Sequence, residues 1–434
     1  MKILCLLQGK RYTSFYRAFY KATVRRFHDS PDDSNAPVRC AVIRRADPVV
    51  NSHAGNNRAS KKRRLAHTAG LLVGSFAMGL GLSSHAIAQT SSSDSLDNID
   101  QINIFGDSLI DAGNIFTLTQ GAFPPPPYAQ RLSNGPVWVE NVAAELGLSP
   151  ELSVSVLPSI FAGTAAPPAD GINYALAGSF SSDVNVGGPP LTGLQQQIEA
   201  FSALSLAGAP PSENALHILL AGGNDYNEAI LTASSAADLA GLPDQVTDNI
   251  VGATSALLSA GAKNIFVSNL PMLEVQPYAD SVDVFNPLAS SILGALSSEH
   301  NQLLAQKLTA LESTLDLSEV TLTQFDLSSF VSQVVADPMA FGLVNAEDSC
   351  LIDFQIDNTF TGVCPNPDEF FFWDDVHPTA AGHALVAQAA LDALADSGPT
   401  APAPGGGDPV GVPEPSGAVA VLALGGVLGQ SASK

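Results

Sequence analysis

The sequence predicts an α/β fold, a three-layer α/β/α sandwich built on a parallel sheet, over residues 101–395. The pattern of apolar residues carries this prediction. Short apolar runs of strand length alternate with longer segments whose apolar residues repeat at helical spacing. This alternation favours parallel strands joined by crossover helices, which cover both faces of the sheet. Ligands bind such sheets beyond the carboxyl ends of the strands, so residues that follow strands are the candidate functional residues.

The predicted elements follow one another in a regular order. Gln101–Phe105 predicts the first strand, which a Gly-Asp-Ser turn ends. Pro136 suits the first position of a helix whose apolar residues are Trp138, Val142 and Leu146. The other predicted elements are a strand at 216–220, a helix through Val246, Ile250, Ala253 and Leu257, a strand at 264–267, a helix at 287–311, a strand at 320–325 and a helix at 380–395.

The 434-residue chain carries its charges unevenly. Only four of its 19 Lys and Arg but 38 of its 42 acidic residues follow residue 88, so the segment from Gln89 onward has a net charge of −34. Such a surface repels nucleic acid and anionic membranes, because little positive charge is available to neutralise phosphate. We therefore predict no nucleic-acid partner. A solvated exterior that keeps an exported protein soluble, or adaptation to high salt, explains the charge without a specific acidic function.

Residues 1–88 are predicted to be an N-terminal extension and signal peptide. The basic cluster Lys61–Arg64 precedes a short apolar segment, Ala69–Leu82, and then Ala86-Ile87-Ala88, which has small residues at the −3 and −1 positions of a cleavage site. The apolar segment is too short for a comfortable membrane span. We therefore predict cleavage after Ala88 and a mature protein that is secreted or held at the cell surface. Residues 1–60 are either an unusually long leader or lie upstream of the start that is used.

The C-terminal end is also segmented. After a predicted folded domain at 89–396, the Gly-, Pro- and Ala-rich stretch 397–411 is typical of a flexible linker. The tail at 412–434 resembles the PEP-CTERM sorting signal of bacterial exported proteins, with Pro413-Glu414-Pro415, an apolar run and a terminal Lys434 where that family usually has an Arg cluster. This resemblance implies handling by export and sorting machinery and no stable transmembrane anchor in the mature protein. An unstructured apolar tail is the alternative.

Cys350 and Cys364 are the cysteines that remain if the N-terminal region is removed. They are close in sequence, and an exported protein meets an oxidising compartment, so we predict that they form a disulfide. Closing so short a loop contributes roughly 3 kcal/mol at most. Two free buried thiols are the alternative.

Ser108 lies directly after the first predicted strand, where a parallel sheet presents residues to a ligand. We expect the N-terminus of a following helix to bring backbone N–H groups near its oxygen. Near the C-terminus, His377 follows Asp374 by three residues, on a loop before a helix. A neutral His accepts the proton of a serine hydroxyl when a carboxylate orients its other nitrogen. Asp374 is the expected orienting residue, and Asp375 is the alternative.

Two further turns offer donors for an oxyanion. Asn224, in Gly222-Gly223-Asn224-Asp225, has a side-chain amide that donates hydrogen bonds, and the adjacent glycines allow close approach of backbone to a ligand. The backbone N–H of Gly178, in Ala177-Gly178-Ser179, is the other candidate. Because Ser108 and Asn224 both follow strands, we expect them at the same rim of the sheet.

Together these residues resemble the GDSL, or SGNH, hydrolase family. Its four blocks occur here in order: Ser108 in Gly-Asp-Ser, Gly178, Asn224 in Gly-Asn-Asp, and Asp374 with His377 in Asp-Asp-Val-His-Pro. The resemblance covers residues 100–396 and implies the flavodoxin-like SGNH architecture, a serine esterase or lipase activity and an ester or lipid substrate. Ser108 is then the nucleophile, His377 the general base and Asp374 its orienting partner. The Ser108 and Gly178 N–H groups and the Asn224 side chain form the oxyanion hole.

Other chemistries find no support in the sequence. It contains no Gly-x-Ser-x-Gly, Walker, Cys-x-x-Cys or His-Glu-x-x-His motif, and His217, His300 and His383 have no ligand-like neighbours. We predict no cofactor and no metal. Acyl transfer from the same acyl-enzyme, and a non-catalytic surface or matrix protein on the same fold, remain as alternative functions.

Overall fold

A computed structural model describes residue 96 and residues 98–284, 286–355 and 358–397. The predicted signal peptide, nearly all of the predicted linker and the PEP-CTERM-like tail lie outside the described residues, as do Cys5 and Cys40.

Six parallel strands form the central sheet: β1 (Gln101–Gly106), β2 (Glu151–Leu152), β3 (Ile172–Asn173), β4 (Ala215–Leu220), β5 (Asn264–Ser268) and β6 (Thr321–Phe325). Their spatial order is β2-β3-β1-β4-β5-β6, and every pairing in the sheet is parallel. Apart from the two-residue β2, this is the 2-1-3-4-5 order of flavodoxin-like sheets. The predicted parallel sheet is therefore confirmed.

Ten α-helices among the described residues flank the sheet: α1 (Asn114–Leu118), α2 (Trp138–Glu145), α3 (Ser153–Phe161), α4 (Leu194–Leu206), α5 (Gly223–Thr232), α6 (Leu242–Ser259), α7 (Pro277–Asp283), α8 (Ala289–Glu312), α9 (Leu327–Ala336) and α10 (Ala380–Asp396). Helices α4, α6 and α8 pack in series, while α2 and α9 pack on α10. The two helical groups enclose the sheet, as the predicted three-layer sandwich requires. None of these helices is long and apolar enough to cross a membrane.

The apolar pattern accounts for the core. Every residue of β4 is buried, which explains why its residues are apolar except for His217, and on α6 the predicted stripe of Val246, Ile250, Ala253 and Leu257 is buried. The predicted start of α2 at Pro136 is wrong by two residues. Glu140 accepts a hydrogen bond from the backbone N–H of Val137 at 2.9 Å, and this contact caps a helix that begins at Trp138.

A smaller region outside the central sheet carries the last catalytic candidates. Strand β7 (Asn345–Ser349) pairs in parallel with β10 (Phe370–Phe372), and β8 (Leu351–Ile352) pairs antiparallel with β9 (Gly362–Val363). The sulfur atoms of Cys350 and Cys364 are 1.97 Å apart, which is bonding distance, so the predicted disulfide closes residues 350–364. We call residues 350–364 the disulfide hairpin.

Candidate active site

Ser108 lies two residues beyond β1, at the carboxyl edge of the sheet. Only glycine suits position 106, because its φ is +151° and a Cβ there would lie 1.8 Å from the carbonyl oxygen of Leu220. Ser108 is 7% exposed, so its hydroxyl is largely shielded from solvent. The expectation that a helix directly follows Ser108 is wrong: residues 107–113 form turns, and α1 begins at Asn114.

Asp111 explains this late helix start. Its carboxylate accepts hydrogen bonds from three backbone N–H groups at the start of α1, at 2.5–3.1 Å, and another from Ala177 at 2.9 Å. Burial raises the pKa of Asp111 to about 6, although these four donors lower it. Asp111 therefore fixes the turn that carries Ser108 to the loop that carries Gly178.

Gln197, on α4, joins the same two segments. Its side-chain oxygen accepts from the Gly106 N–H at 2.8 Å, and its nitrogen donates to the Gly106 carbonyl at 2.8 Å and to Ser179 Oγ at 3.0 Å. The amide takes the place of a neighbouring strand at the end of β1. Sequence reasoning identifies neither Gln197 nor Asp111 as a site residue, because polar residues in turns and on amphipathic helices are common.

Ser108, His377 and Asp374 form a continuous hydrogen-bonded relay. Nε2 of His377 lies 2.8 Å from Ser108 Oγ, and Nδ1 lies 2.8 and 2.9 Å from the two carboxylate oxygens of Asp374. Because a carboxylate only accepts hydrogen bonds, Nδ1 carries the proton of the neutral imidazole. Nε2 is then left to accept from the Ser108 hydroxyl. This arrangement can activate a serine as a nucleophile.

The Asp374 carboxylate is buried and closely held. The backbone N–H groups of Val376 and His377 donate to Oδ1 at 2.9 and 2.8 Å, and the Tyr128 hydroxyl donates to Oδ2 at 2.8 Å. Burial raises the pKa of Asp374, but the charge and hydrogen bonds of His377 and the Val376 N–H outweigh it, so the pKa lies below its ordinary value. Asp374 is therefore ionised at neutral pH, as an orienting carboxylate must be.

Asp375, the alternative orienting residue, is engaged elsewhere. Its two carboxylate oxygens accept from the hydroxyls of Ser281 and Ser349, each at 2.6 Å, and its carbonyl accepts from the Tyr278 N–H at 2.8 Å. Asp375 thus ties its loop to α7 and β7, while Asp374 alone of the two contacts His377.

Gly178 lies on the loop after β3, and Asn224 lies in the first turn of α5. The Asn224 side chain donates to the Ser179 carbonyl at 3.0 Å, which holds its amide next to Gly178. Within the described ranges, no acceptor pairs with the backbone N–H of Ser108 or Gly178, or with the second N–H of the Asn224 amide. These three donors are therefore available to an oxyanion.

Comparison with known proteins agrees with this geometry. Residues 102–390 match the GDSL-like lipase/acylhydrolase family. The chain belongs to that family. It is 26% identical over 314 residues to the thermolabile hemolysin of Vibrio parahaemolyticus, a match that covers 68% of this chain and 64% of that protein. It is 25% identical over 326 residues to a GDSL esterase/lipase of Arabidopsis thaliana, covering 68% and 88% of the two chains. It is also 29% identical over 306 residues to the phosphatidylcholine-sterol acyltransferase of Aeromonas hydrophila, covering 70% and 81%.

Asp107, the acidic residue of the GDSL motif, is buried and accepts a hydrogen bond from the Leu109 N–H at 3.1 Å. Burial raises the pKa of Asp107 to about 7, the hydrogen bond and His377 oppose this, and Asp225 and Asp111 reinforce it. Asp225 accepts two hydrogen bonds from Ser181, and burial raises its pKa to about 6. The residue before the nucleophile of this GDSL protein is thus a buried carboxyl group whose pKa is raised to about 7.

The other buried histidines have no catalytic geometry. Burial lowers the pKa of His217 to about 4 and those of His300 and His383 to about 3, so they are neutral core residues at neutral pH. His383 accepts from the backbone N–H of Trp138 at 3.2 Å. In the part of the chain that the structure describes, no group of three or more His, Cys, Asp or Glu side chains is arranged to hold a metal ion.

Proposed function

We propose that this GDSL protein is an exported serine hydrolase that cleaves carboxylic esters through an acyl-enzyme on Ser108. The observation that carries the proposal is the relay from Ser108 through His377 to Asp374, with a separation of 2.8 Å on each side of the imidazole. Family membership supports hydrolase or acyltransferase chemistry, and the esterase and lipase names of relatives support an ester or lipid substrate.

In the first step, Ser108 Oγ attacks the carbonyl carbon of the ester while its proton passes to Nε2 of His377. The carbonyl oxygen becomes an oxyanion, which accepts hydrogen bonds from the Ser108 and Gly178 N–H groups and the Asn224 amide. The ionised Asp374 stabilises the positive charge that develops on His377.

The tetrahedral intermediate then collapses. The bond to the alcohol oxygen breaks, Nε2 of His377 gives its proton to that oxygen, and the acyl group remains on Ser108. Water attacks the acyl carbon and gives a proton to Nε2. The second collapse releases the carboxylic acid and returns the proton to Ser108 Oγ.

The test is steady-state hydrolysis of p-nitrophenyl esters with short to long acyl chains, and of an acetylated sugar, by the wild type and Ser108→Ala. We expect Ser108→Ala to retain its fold by circular dichroism and to lose about 10⁴-fold or more in kcat, because no nucleophile remains. A folded Ser108→Ala protein that cleaves these esters at the wild-type rate would contradict the proposal. The preferred chain length in the wild type defines the acyl specificity.

Acyl transfer is the second candidate function. A relative 29% identical to this chain is named phosphatidylcholine-sterol acyltransferase, and the same acyl-enzyme accepts an alcohol in place of water. Product analysis with an added alcohol separates the two candidates. Hydrolysis gives mainly free acid at moderate alcohol concentrations, whereas an acyltransferase gives mainly the new ester.

We further propose that the chain is exported to the cell exterior and that its signal peptide is cleaved after Ala88. The basic cluster, the apolar segment and the Ala-x-Ala site support this proposal, as does the cysteine pair 350 and 364. The N-terminal sequence of the exported protein should begin at Gln89, and retention of an uncleaved chain in the cytoplasm would contradict the export proposal.

For the PEP-CTERM-like tail at 412–434, we propose a sorting role. Intact-mass analysis of the exported protein from the native host should show its removal.

A further inference from the structure

Asp374 receives one side-chain hydrogen bond from outside its own loop. Its other donors are the Val376 N–H, the His377 N–H and His377 Nδ1, all within three residues of it. Among the described residues, only Tyr128 reaches the carboxylate from a distant segment, 246 positions earlier in the sequence, with its hydroxyl 2.8 Å from Oδ2. This contact therefore links the Asp374 carboxylate directly to a distant segment of the protein.

We propose that Tyr128 is a positioning residue of the active site. Its hydroxyl fixes the orientation of the Asp374 carboxylate and weakens the electrostatic attraction between this carboxylate and a protonated His377. This inference rests on the proposed serine hydrolase function. Because a carboxylate has no proton to give, the phenol donates and Oδ2 accepts. The donated hydrogen bond draws negative charge from Oδ2, so Asp374 holds a positively charged His377 less tightly than an unshared carboxylate would.

The Tyr128 ring is itself held rigidly. It is 8% exposed and meets the Trp373 ring edge to face, with centroids 6.1 Å apart and planes at 85°. Tyr128 and Trp373 belong to one apolar cluster with Cys350, Leu351 and Cys364. The disulfide hairpin thus packs against the residue that orients Asp374.

Backbone hydrogen bonds join this cluster to the relay. The Leu351 N–H donates to the Trp373 carbonyl at 2.8 Å, and the Trp373 N–H donates to the His377 carbonyl at 2.7 Å. The disulfide hairpin, Trp373 and the His377 loop are therefore joined by hydrogen bonds. The Tyr128 hydroxyl donates its hydrogen bond to Asp374 of this loop.

The stabilising partner of Asp374 from outside its own loop is a neutral hydrogen-bond donor, the Tyr128 hydroxyl. Each of the three Lys and Arg residues that the structure describes is engaged with a carboxylate elsewhere: Arg131 with Glu140, Lys263 with Glu213, and Lys307 with Asp244. The phenol therefore provides a stabilisation that, in a less acidic protein, a cation could supply.

The test compares Tyr128→Phe with Tyr278→Phe. Tyr278 is the matched control, because it is also 8% exposed and its hydroxyl donates to the Asn227 carbonyl at 3.0 Å. For Tyr128→Phe we expect kcat on a p-nitrophenyl ester to fall about 10- to 100-fold with KM nearly unchanged. We also expect the acidic limb of the kcat/KM profile to move up by about half a pH unit, because the unshared carboxylate holds the imidazolium more tightly. Tyr278→Phe should match the wild type in both.

Other titrating groups near the relay do not affect the comparison of the pH profiles of the wild type and the two variants. Burial raises the pKa of Asp107 to about 7, raises that of Asp375 and lowers that of His383 to about 3. These groups are common to the wild type and both variants, so only the difference between the profiles is interpreted. Thermal unfolding of each variant shows whether the fold is retained.

Three outcomes decide the inference. A Tyr128→Phe protein with the wild-type kcat and pH profile would overturn it. A lower kcat with an unmoved acidic limb would also overturn it, because that result indicates only packing. If Tyr128→Phe is too unstable for kinetics, the downfield proton resonance of His377 Nδ1 at low temperature gives the answer: a position unchanged from the wild type contradicts the inference. Failure of the serine hydrolase proposal is recognised separately, by full activity of Ser108→Ala.

Discussion

Ser108 and His377 lie 2.8 Å apart, but the regions that carry them are built differently. The nucleophile region is the end of β1 and its turn, which pair within the central sheet and are fixed by Asp111 and Gln197. The base region is the loop between β10 and α10, which lies outside the central sheet. It is held by the β7 pairing, by Asp375 and by Tyr128 with the disulfide hairpin.

The difference between the two regions predicts which substitutions lower stability together with activity and which lower activity alone. Changes that remove buried hydrogen bonds from the nucleophile region, at the centre of the sheet, should lower both stability and activity. Changes in the base region leave the sheet intact, so they should lower activity more than stability. Four substitutions test this contrast, in order of decreasing expected effect.

Asp374→Asn should have the largest effect. The amide can present an N–H to Nδ1 of His377 and favour the wrong tautomer, so we expect kcat to fall about 10³- to 10⁴-fold. The melting temperature should change little, because the base loop lies outside the sheet. Asp375→Asn is the matched control: its oxygen still accepts from a serine hydroxyl, and kcat should stay within a few-fold of the wild type. Equal losses in the two variants would contradict the assignment of Asp374 as the orienting residue.

Asn224→Ala removes a proposed oxyanion donor from the nucleophile side. We expect kcat on p-nitrophenyl esters to fall about 10²-fold, because the remaining donors are the backbone N–H groups of Ser108 and Gly178. Asn227→Ala, on the same helix, should leave kcat nearly unchanged. Wild-type turnover by Asn224→Ala would exclude its amide from the oxyanion hole.

Gln197→Leu tests the stability of the nucleophile region. It leaves the buried N–H of Gly106 without its acceptor, so we expect the free energy of unfolding in urea to fall by about 1–3 kcal/mol and kcat to fall with it. Gln195→Leu, on the same helix at a partly exposed position, should cost less than about 1 kcal/mol. An unchanged stability in Gln197→Leu would show that its amide is not needed at the end of β1.

Asp107→Asn should show a smaller, pH-dependent effect. Burial raises the pKa of Asp107 from 3.8 to about 7, so its contribution to stability is present below pH 3.8 and is lost as the pH rises through about 7. At pH 8 the variant should therefore be more stable than the wild type, by about 1–2 kcal/mol in urea unfolding, and at pH 4 the two should be similar. The exposed substitution Glu145→Gln controls for net charge. A difference that is the same at both pH values would contradict the titration of Asp107.

Local sequence pattern predicts the elements that surround the site. Short apolar runs mark β4 and β5, because both faces of these strands are buried. The apolar stripe marks α6, because one face of this helix is buried. The two-residue β3 is too short to give a period, and α4 mixes Gln and Ser into its apolar stripe, so neither is predicted.

The candidate site also contains residues that the sequence predicts and residues that only the structure reveals. Ser108, Asn224, Asp374 and His377 occur in ordered motifs, so the sequence alone identifies them as candidate site residues. Tyr128 cannot be found in this way, because its partner lies 246 positions away and the two residues meet only when the base loop packs against the segment between α1 and α2. The buried hydrogen bonds of Asp111 and Gln197 likewise depend on tertiary contacts that local pattern does not encode.

The most direct measurement is labelling of the folded protein with a fluorophosphonate probe, followed by peptide mass spectrometry. An activated serine displaces fluoride and forms a stable phosphonyl adduct, whereas a non-catalytic protein on the same fold does not react. We predict a single adduct on Ser108, formed rapidly in the wild type, slowly in Asp374→Asn and not at all in Ser108→Ala. Folded wild-type protein that forms no adduct, or an adduct on another serine that persists in Ser108→Ala, would contradict the account.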